Sequence, residues 1–336
     1  MSGLPNSLHA ALEQLGQGLD AASLRERAGT ISGHYRARGA SSGVVRSEAD
    51  AYAYAVSRMP ATYAALSMAL AELQARAPDF APEVMIDVGC GPGTALLAAA
   101  ELYAVREGVL VDHNPAFLAL AERLATETVA VPVRTMRVEL RNWRPEVPAD
   151  LVVCGYSLTE LDDVAALRLL HKLWENTRGA LVIAEPGRPA DYHRLMTWRQ
   201  ALIGAGAEIL APCVHAAACP LPPDDWCHFS VRLERRKAHR AAKGAALGYE
   251  DEKVSYLIAA RPGIGAPAHA RVLRRPLQSK IEVQLSLCGR DGLSALNVPS
   301  RQRERYQAAK RLDWGDATVF GAGGASVEIA ADEAAD

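Results

Sequence analysis

The stretch that most constrains this chain is Met85-Ile86-Asp87-Val88-Gly89-Cys90-Gly91-Pro92-Gly93-Thr94. An apolar β-type run enters a turn with three glycines, and a helix-forming segment follows. Glycine tolerates positive φ and lets a ligand approach the backbone closely. About 20 residues on, Val109-Leu110-Val111 ends in Asp112, where a carboxylate can accept hydrogen bonds from ribose hydroxyls. Strand, loop, helix, strand and acid in this order predict a nucleotide-type ligand at the crevice of a doubly wound sheet. The bland alternative is a tight structural turn.

Two ligands compete for such a loop. A nicotinamide dinucleotide wants G-x-G-x-x-G beside its pyrophosphate. Here the glycines fall as GCGPG behind Asp87, and Pro92 removes an amide that a phosphate would use. The pattern resembles the methyltransferase signature instead. It predicts S-adenosylmethionine, with Asp87, Gly89, Gly91, Gly93 and Asp112 lining the site. The expected fold class is α/β, a class I S-adenosylmethionine-dependent methyltransferase (Rossmann-like) sheet with an N-terminal helical region and a Cys-rich metal-binding insertion.

The rest of the chain fits that frame. Residues 1–80 read as a helical cap with apolar spacings of three and four, broken at Pro60. Residues 81–210 form the expected Rossmann-like core. Strands are predicted at Val84–Val88, Gly108–Val111, Pro132–Val138, Asp150–Cys154 and Ala180–Ala184. Helices are predicted at Thr94–Val105, Pro115–Thr126 and Val164–Glu175. Such alternation implies a mainly parallel sheet covered on both faces. Residues 211–252 lack clean periodicity and read as the insertion. Residues 253–320 return to core strands, Val254–Ala259 and Ile281–Leu287. The small, acidic tail, 321–336, reads as disordered.

The methyl acceptor is less legible. After strand four the chain reads Cys154-Gly155-Tyr156-Ser157-Leu158-Thr159-Glu160-Leu161, without the Asn/Asp-Pro-Pro-aromatic motif of many amino-group methyltransferases. Cys154 and Cys90 read as buried structural thiols rather than nucleophiles. No general base stands out, so no catalytic residue is assigned. Methyl transfer from a sulfonium can rest on positioning and desolvation alone.

The remaining cysteines form the second constellation: Cys213, Cys219, Cys227 and Cys288, with gaps of five, seven and sixty residues. Four soft thiolates suit an iron–sulfur cluster or tetrahedral zinc. The wide gaps and remote fourth ligand suit the larger group better than the tight knuckles of structural zinc. Unrelated buried thiols are the bland alternative. His215 and His228 are possible alternative ligands, though such histidines more often supply outer hydrogen bonds.

A formal net charge of −2 argues against wholesale nonspecific nucleic-acid binding, and no DNA partner is expected. Three local basic runs stand out: Arg232 to Lys243, Arg271 to Lys280, and Arg301 to Arg311. They suit RNA phosphates or are ordinary solvated surface. No apolar run reaches the roughly 18 residues of a membrane span, and the first residues lack a basic leader with an apolar core. A cytoplasmic, bacterial protein with reduced thiols is the expectation.

At this point the chain resembles a known family. The segments PCVH, CPL and DWCHFS around the cysteines, YEDEKVSYL, the RRP before Cys288, Arg58-Met59-Pro60-Ala61-Thr62-Tyr63 and Trp314-Gly315-Asp316 are similar to the Rsm-twenty-two (Rsm22) family of mitochondrial small-ribosomal-subunit proteins and their bacterial relatives. In animals its member is called methyltransferase-like protein seventeen. The resemblance implies a class I methyltransferase fold, association with the small ribosomal subunit and its rRNA during assembly, and a 4Fe–4S cluster. It implies Cys213, Cys219, Cys227 and Cys288 as ligands. Three readings follow: an rRNA methyltransferase-like factor, a noncatalytic assembly factor that keeps donor and cluster, and a small-molecule methyltransferase.

Overall fold

The computed structural model describes residues 3–36, 43–145 and 147–320; the expected acidic tail, 321–336, lies outside the described residues. Four helices lead: α1 (Asn6–Leu15), α2 (Ala21–Arg36), α3 (Glu48–Ser57) and α4 (Met59–Arg76). Ser47 caps α3 by accepting from the Asp50 amide, and Pro60 sits in the first turn of α4, where its missing N–H costs nothing. The predicted break at Pro60 is thus a helix start.

The core follows in alternation: β1 (Val84–Val88), α5 (Thr94–Ala99), β2 (Glu107–Asp112), α6 (Pro115–Thr128), β3 (Val133–Arg137), β4 (Ala149–Gly155), α7 (Asp163–Asn176), β5 (Thr177–Pro186), α8 (Pro189–Gly204) and β6 (Glu208–Ala211). Helix α5 is half the length that the sequence suggested. Next come β7 (Phe229–Glu234), α9 (Lys237–Lys243) and the long β8 (Tyr249–Ala260). The strands pair in the order β3-β2-β1-β4-β5-β8-β6, with β7 also on β8. β1 to β5 run parallel, whereas β8 is antiparallel to β5, β6 and β7. This is a Rossmann-like sheet with a reversed strand near one edge.

Both faces of the sheet's centre are covered, so β4 and β5 are buried along nearly their whole length. In β4, Leu151 and Val153 face the core shared with α4, α5 and α6. Val152 and Cys154 face the core under α7 and α8. The order reverses at β1, whose neighbours β2 and β4 diverge. The carboxyl ends there open a crevice, the usual ligand position in such sheets.

The insertion departs from its featureless appearance. β7 pairs with the first half of β8 (Phe229 with Val254 through Glu234 with Tyr249), so part of residues 211–252 widens the sheet as a hairpin. The strand expected at Ile281–Leu287 forms, but outside the core sheet. It is β11 (Glu282–Gly289) of a second, antiparallel sheet with β9 (Ala270–Val272), β10 (Leu277–Gln278), β12 (Gly292–Pro299) and β13 (Ala317–Thr318). Helix α10 (Arg303–Arg311) packs on it through Tyr306 and Ala309. Period-two burial along β11, with one face solvated, marks it as a sheet of its own kind. Among the described residues no helix is long and apolar enough to cross a membrane.

Candidate donor crevice and cysteine centre

All three loop glycines are left-handed, with φ of 65°, 51° and 78° at Gly89, Gly91 and Gly93. Each has a different neighbour. A Cβ on Gly89 would lie 2.5 Å from the Cβ of Ser157, so this glycine lets the loop meet the segment after β4. A Cβ on Gly93 would press on Ala121 at 3.2 Å, so this one serves the packing of α5 on α6. Gly91 faces open space.

The two predicted acids also divide. Asp87 is buried, and its Oδ2 accepts from the Ala95 and Leu96 amides at 3.1 and 3.2 Å. It therefore holds the start of α5 against β1. Burial lifts its carboxyl to about 8 in spite of those two amides. Asp112 accepts from Gly91 N and Asn114 N, both at 2.9 Å, fixing the loop against the end of β2. Burial raises its carboxyl as well.

Above these residues lies a cavity of about 680 Å³, within the usual range for small-molecule sites. Gly89, Gly91 and Asp112 line it. Asp87 and Gly93 stand behind and do not. The N-terminal helices close one side with Tyr35, Tyr54, Arg58 and Thr62. Tyr54 meets Phe117 edge-on at 4.9 Å, and the Arg58 guanidinium sits 5.5 Å over the Tyr35 ring.

A polar pair in this wall has no local signature in the chain. Tyr156 adopts φ 60°, rare for a bulky residue. Its hydroxyl donates to Glu252 Oε1 at 3.0 Å. Burial raises the Glu252 carboxyl, opposed by nearby Arg58. Strand β8 brings Glu252 here from 96 residues away, which no local motif could announce. Such a hydroxyl–carboxylate pair can hold or pass a proton. Cys90 and Cys154 are buried, their thiols raised well above the usual range by burial, as expected of structural thiols.

The other four cysteines meet. Cys213, Cys219, Cys227 and Cys288 line one small cavity with His215 and Tyr192. Cys288, from β11 of the second sheet, faces the loop after β6. Burial, then repulsion from Cys213, Cys219 and Cys288, lifts the Cys227 thiol well above its usual range. Burial and the same neighbours Cys213 and Cys219 push Cys288 up to about 12. Among the described residues, no group of three or more His, Cys, Asp or Glu forms a site for a single metal ion. The expected metal site is therefore a shared cavity of four thiols, not a closed coordination shell.

Buried cations frame this cavity. Arg199 of α8 donates to the carbonyls of His215 and Ala217, and its charge lowers the Cys213 thiol against the effect of burial. Arg271 of β9 donates to Pro212 O at 3.1 Å, Gly315 O at 2.9 Å and Glu72 at 2.6 Å. Arg271 is thus interior, not part of a surface run. Tyr192 donates to Cys219 Sγ at 3.1 Å, and His215 Nε2 lies 3.7 Å from Cys288 Sγ. His228 is elsewhere, stacked on Trp226 at 4.9 Å with its edge toward Trp314.

The two sites adjoin. Trp226, beside Cys227, donates to Gly187 O at 3.0 Å, and Gly187 lines the large crevice. In α8, Asp191 faces that crevice while Tyr192 touches Cys219.

The family model described as mitochondrial small ribosomal subunit Rsm22 matches residues 48–319. The human mitochondrial ribosome assembly protein METTL17 is 30% identical over 288 residues, covering 78% of this chain and 61% of that protein. A trans-aconitate 2-methyltransferase of Azoarcus sp. (strain BH72) is 33% identical over 156 residues, covering 44% of this chain and 57% of that protein. The chain thus spans about three fifths of the length of these relatives. Among solved structures, magnesium protoporphyrin IX methyltransferase from Synechocystis PCC 6803 superposes with a TM-score of 0.40 at 17% identity, covering 73% of this chain and 99% of that one. A putative RNA methyltransferase from Pyrococcus horikoshii gives 0.39 at 13% identity, covering 61% and 84%.

Proposed function

The chain belongs to the mitochondrial small ribosomal subunit Rsm22 family, and on that premise we propose that it is a methyltransferase-like assembly factor acting on small-subunit rRNA, with S-adenosylmethionine and an iron–sulfur cluster bound at adjoining sites. One observation carries the reading: four thiols from the insertion and the second sheet border a single cavity that abuts the glycine-loop crevice.

The donor set fits a cluster. Four thiols lining one buried cavity cannot all ionise without compensating positive charge. Bound metal supplies it, and Arg199 and Arg271 add two fixed cations. Cys213, Cys219, Cys227 and Cys288 would be the ligands; a 4Fe–4S cluster would cross-link the insertion to the second sheet. Zinc is the alternative occupant.

In the crevice, Asp112, held by the Gly91 and Asn114 amides, and the open face of Gly91 would take the nucleoside end of the methyl donor. The donor would supply an electrophilic methyl group. Tyr156 and Glu252 would orient the acceptor and take up its proton, while Tyr35, Tyr54 and Arg58 keep bulk water out. A noncatalytic factor using the same two sites is the second reading, favoured by the use of Asp87 for packing rather than ligand contact.

Anaerobic purification with iron, sulfide and zinc analysis, paired with calorimetry of donor binding, tests both sites. Iron and sulfide in near-equal amounts and stoichiometric donor binding are expected. Zinc without sulfide, or no donor binding, overturns the corresponding half. Transfer of a labelled methyl group to small-subunit rRNA separates the catalytic reading from the noncatalytic one.

A further inference from the structure

The three basic runs have different fates in the folded chain. In the first, Arg232 pairs with Asp251, Arg235 and Lys243 converge on Glu250, and His239 is buried beside that carboxylate. In the second, Arg271 is interior and Arg274 pairs with Asp225. Among the described residues of the first run, Arg236, Lys237 and Arg240 form no ion pair, but they share one depression with Glu13 and Glu234. The third run is unpaired too. Among the described residues, Arg301, Arg303, Lys310 and Arg311 form no ion pair, and neither does Lys280.

These free cations are gathered on one surface. Helix α10 buries Tyr306 and Ala309 and exposes Arg303, Gln307, Lys310 and Arg311. The turn after β10 is tied to it: Tyr306 donates to Ser279 O at 2.6 Å and Gln278 to Lys310 O at 2.9 Å. That brings Lys280 alongside, flanked by Leu277 and Ile281, which are 68% and 72% exposed. Glu304 is the one acid in the first turn.

Part of this arrangement is rewarded within the fold: Lys310 and Arg311 sit in the last turn, where the helix dipole favours cations, and Lys310 lies 5.6 Å over the Tyr306 ring. Arg301 and Arg303 lie at the positive end of the helix dipole, where acids are favoured. A polyanion removes that penalty, and each phosphate neutralised also releases a counterion. Exposed aliphatic side chains beside the cations offer apolar contact to sugars and bases.

We propose that the outer face of α10, with the turn between β10 and β11, is the surface that docks small-subunit rRNA. This rests on the ribosomal reading above and assigns it a surface that the cysteine insertion does not share.

The test is fluorescence anisotropy with a labelled transcript of bacterial small-subunit rRNA, titrated across KCl concentrations. The quadruple variant Arg301→Gln, Arg303→Gln, Lys310→Gln, Arg311→Gln removes four exposed charges without touching the core. At about 0.7–0.9 per phosphate contact, the slope of log affinity against log salt should become shallower by about 3. Affinity near physiological salt should fall roughly a hundredfold. The control Arg236→Gln, Lys237→Gln, Arg240→Gln should change the slope by less than about 1. An unchanged slope in the α10 variant overturns the proposal. RNA binding by the unaltered protein that ignores salt, or is absent, overturns the ribosomal reading itself, a distinct result. Intact RNA affinity with lost association to isolated small subunits would assign this face to a protein partner, and also overturns it.

Discussion

Replacing Arg271 by Met removes a cation from the junction of three parts of the fold. Its side chain is 1% exposed, and Glu72, its partner on α4, is 15% exposed. The guanidinium also satisfies Pro212 O before Cys213 and Gly315 O in the Trp-Gly-Asp segment. Breaking a buried pair from one side costs about 3–5 kcal/mol, because the other charge stays buried. Two unpaired carbonyls would add about 1–3 kcal/mol each if kept dry. Arg76, 3.3 Å from Glu72 and 24% exposed, offsets part of this. With Glu72 still paired to Arg76 and the two carbonyls taking up water, the expected net loss is about 3–5 kcal/mol. At roughly 2 °C per kcal/mol for a chain of this size, Tm should fall by roughly 6–10 °C in scanning calorimetry. Adding Glu72→Met removes the orphaned charge, so the double variant should be more stable than Arg271→Met alone. A single variant within about 2 °C of the parent, or a double variant that merely adds two losses, refutes the reasoning.

Three other outcomes are expected. Burial lifts the Glu185 carboxyl to about 8, so the native state holds a proton that the unfolded chain releases near pH 4.5. Its contribution is complete below that pH and is lost as pH rises toward 8, at no more than about 1.4 kcal/mol per unit. Glu185→Gln should flatten urea-measured stability between pH 5 and 8; an unaltered slope contradicts the assignment. Gly91→Ala adds a methyl group in open space at φ 51°, costing about 1–2 kcal/mol of backbone strain. It should weaken donor binding at least tenfold by calorimetry, whereas Gly93→Ala should act mainly on Tm through Ala121. Equal loss of donor affinity in both would remove Gly91 from the crevice. Cys227→Ser should strip iron from the anaerobic protein and lower Tm, since ligand binding and folding are coupled; a metal-replete, stable variant argues against Cys227 as a ligand.

Much of this protein is determined by local sequence. The run from Met85 to Thr94 specifies strand, left-handed turn and helix because glycine alone accepts those dihedrals freely. The apolar segments of β4 and β5 announce burial on both faces. The cysteine pattern together with the family resemblance nominated Cys213, Cys219, Cys227 and Cys288, which line one cavity. What the chain does not print locally is which elements become neighbours. Asp87 and Asp112 look equivalent as acids after strands, yet one turns inward to the amides of α5 and the other lies at the crevice. The strand ending at Cys288 alternates convincingly, but only tertiary pairing with β9, β10 and β12 places it in a second sheet. Arg271 sits in a basic run and is among the most buried residues. Glu252 becomes a partner of Tyr156 through the crossing of distant strands. Periodicity and backbone preference act over a few residues, so they fix elements. Charge compensation and packing act across the whole chain, so they decide what each element faces.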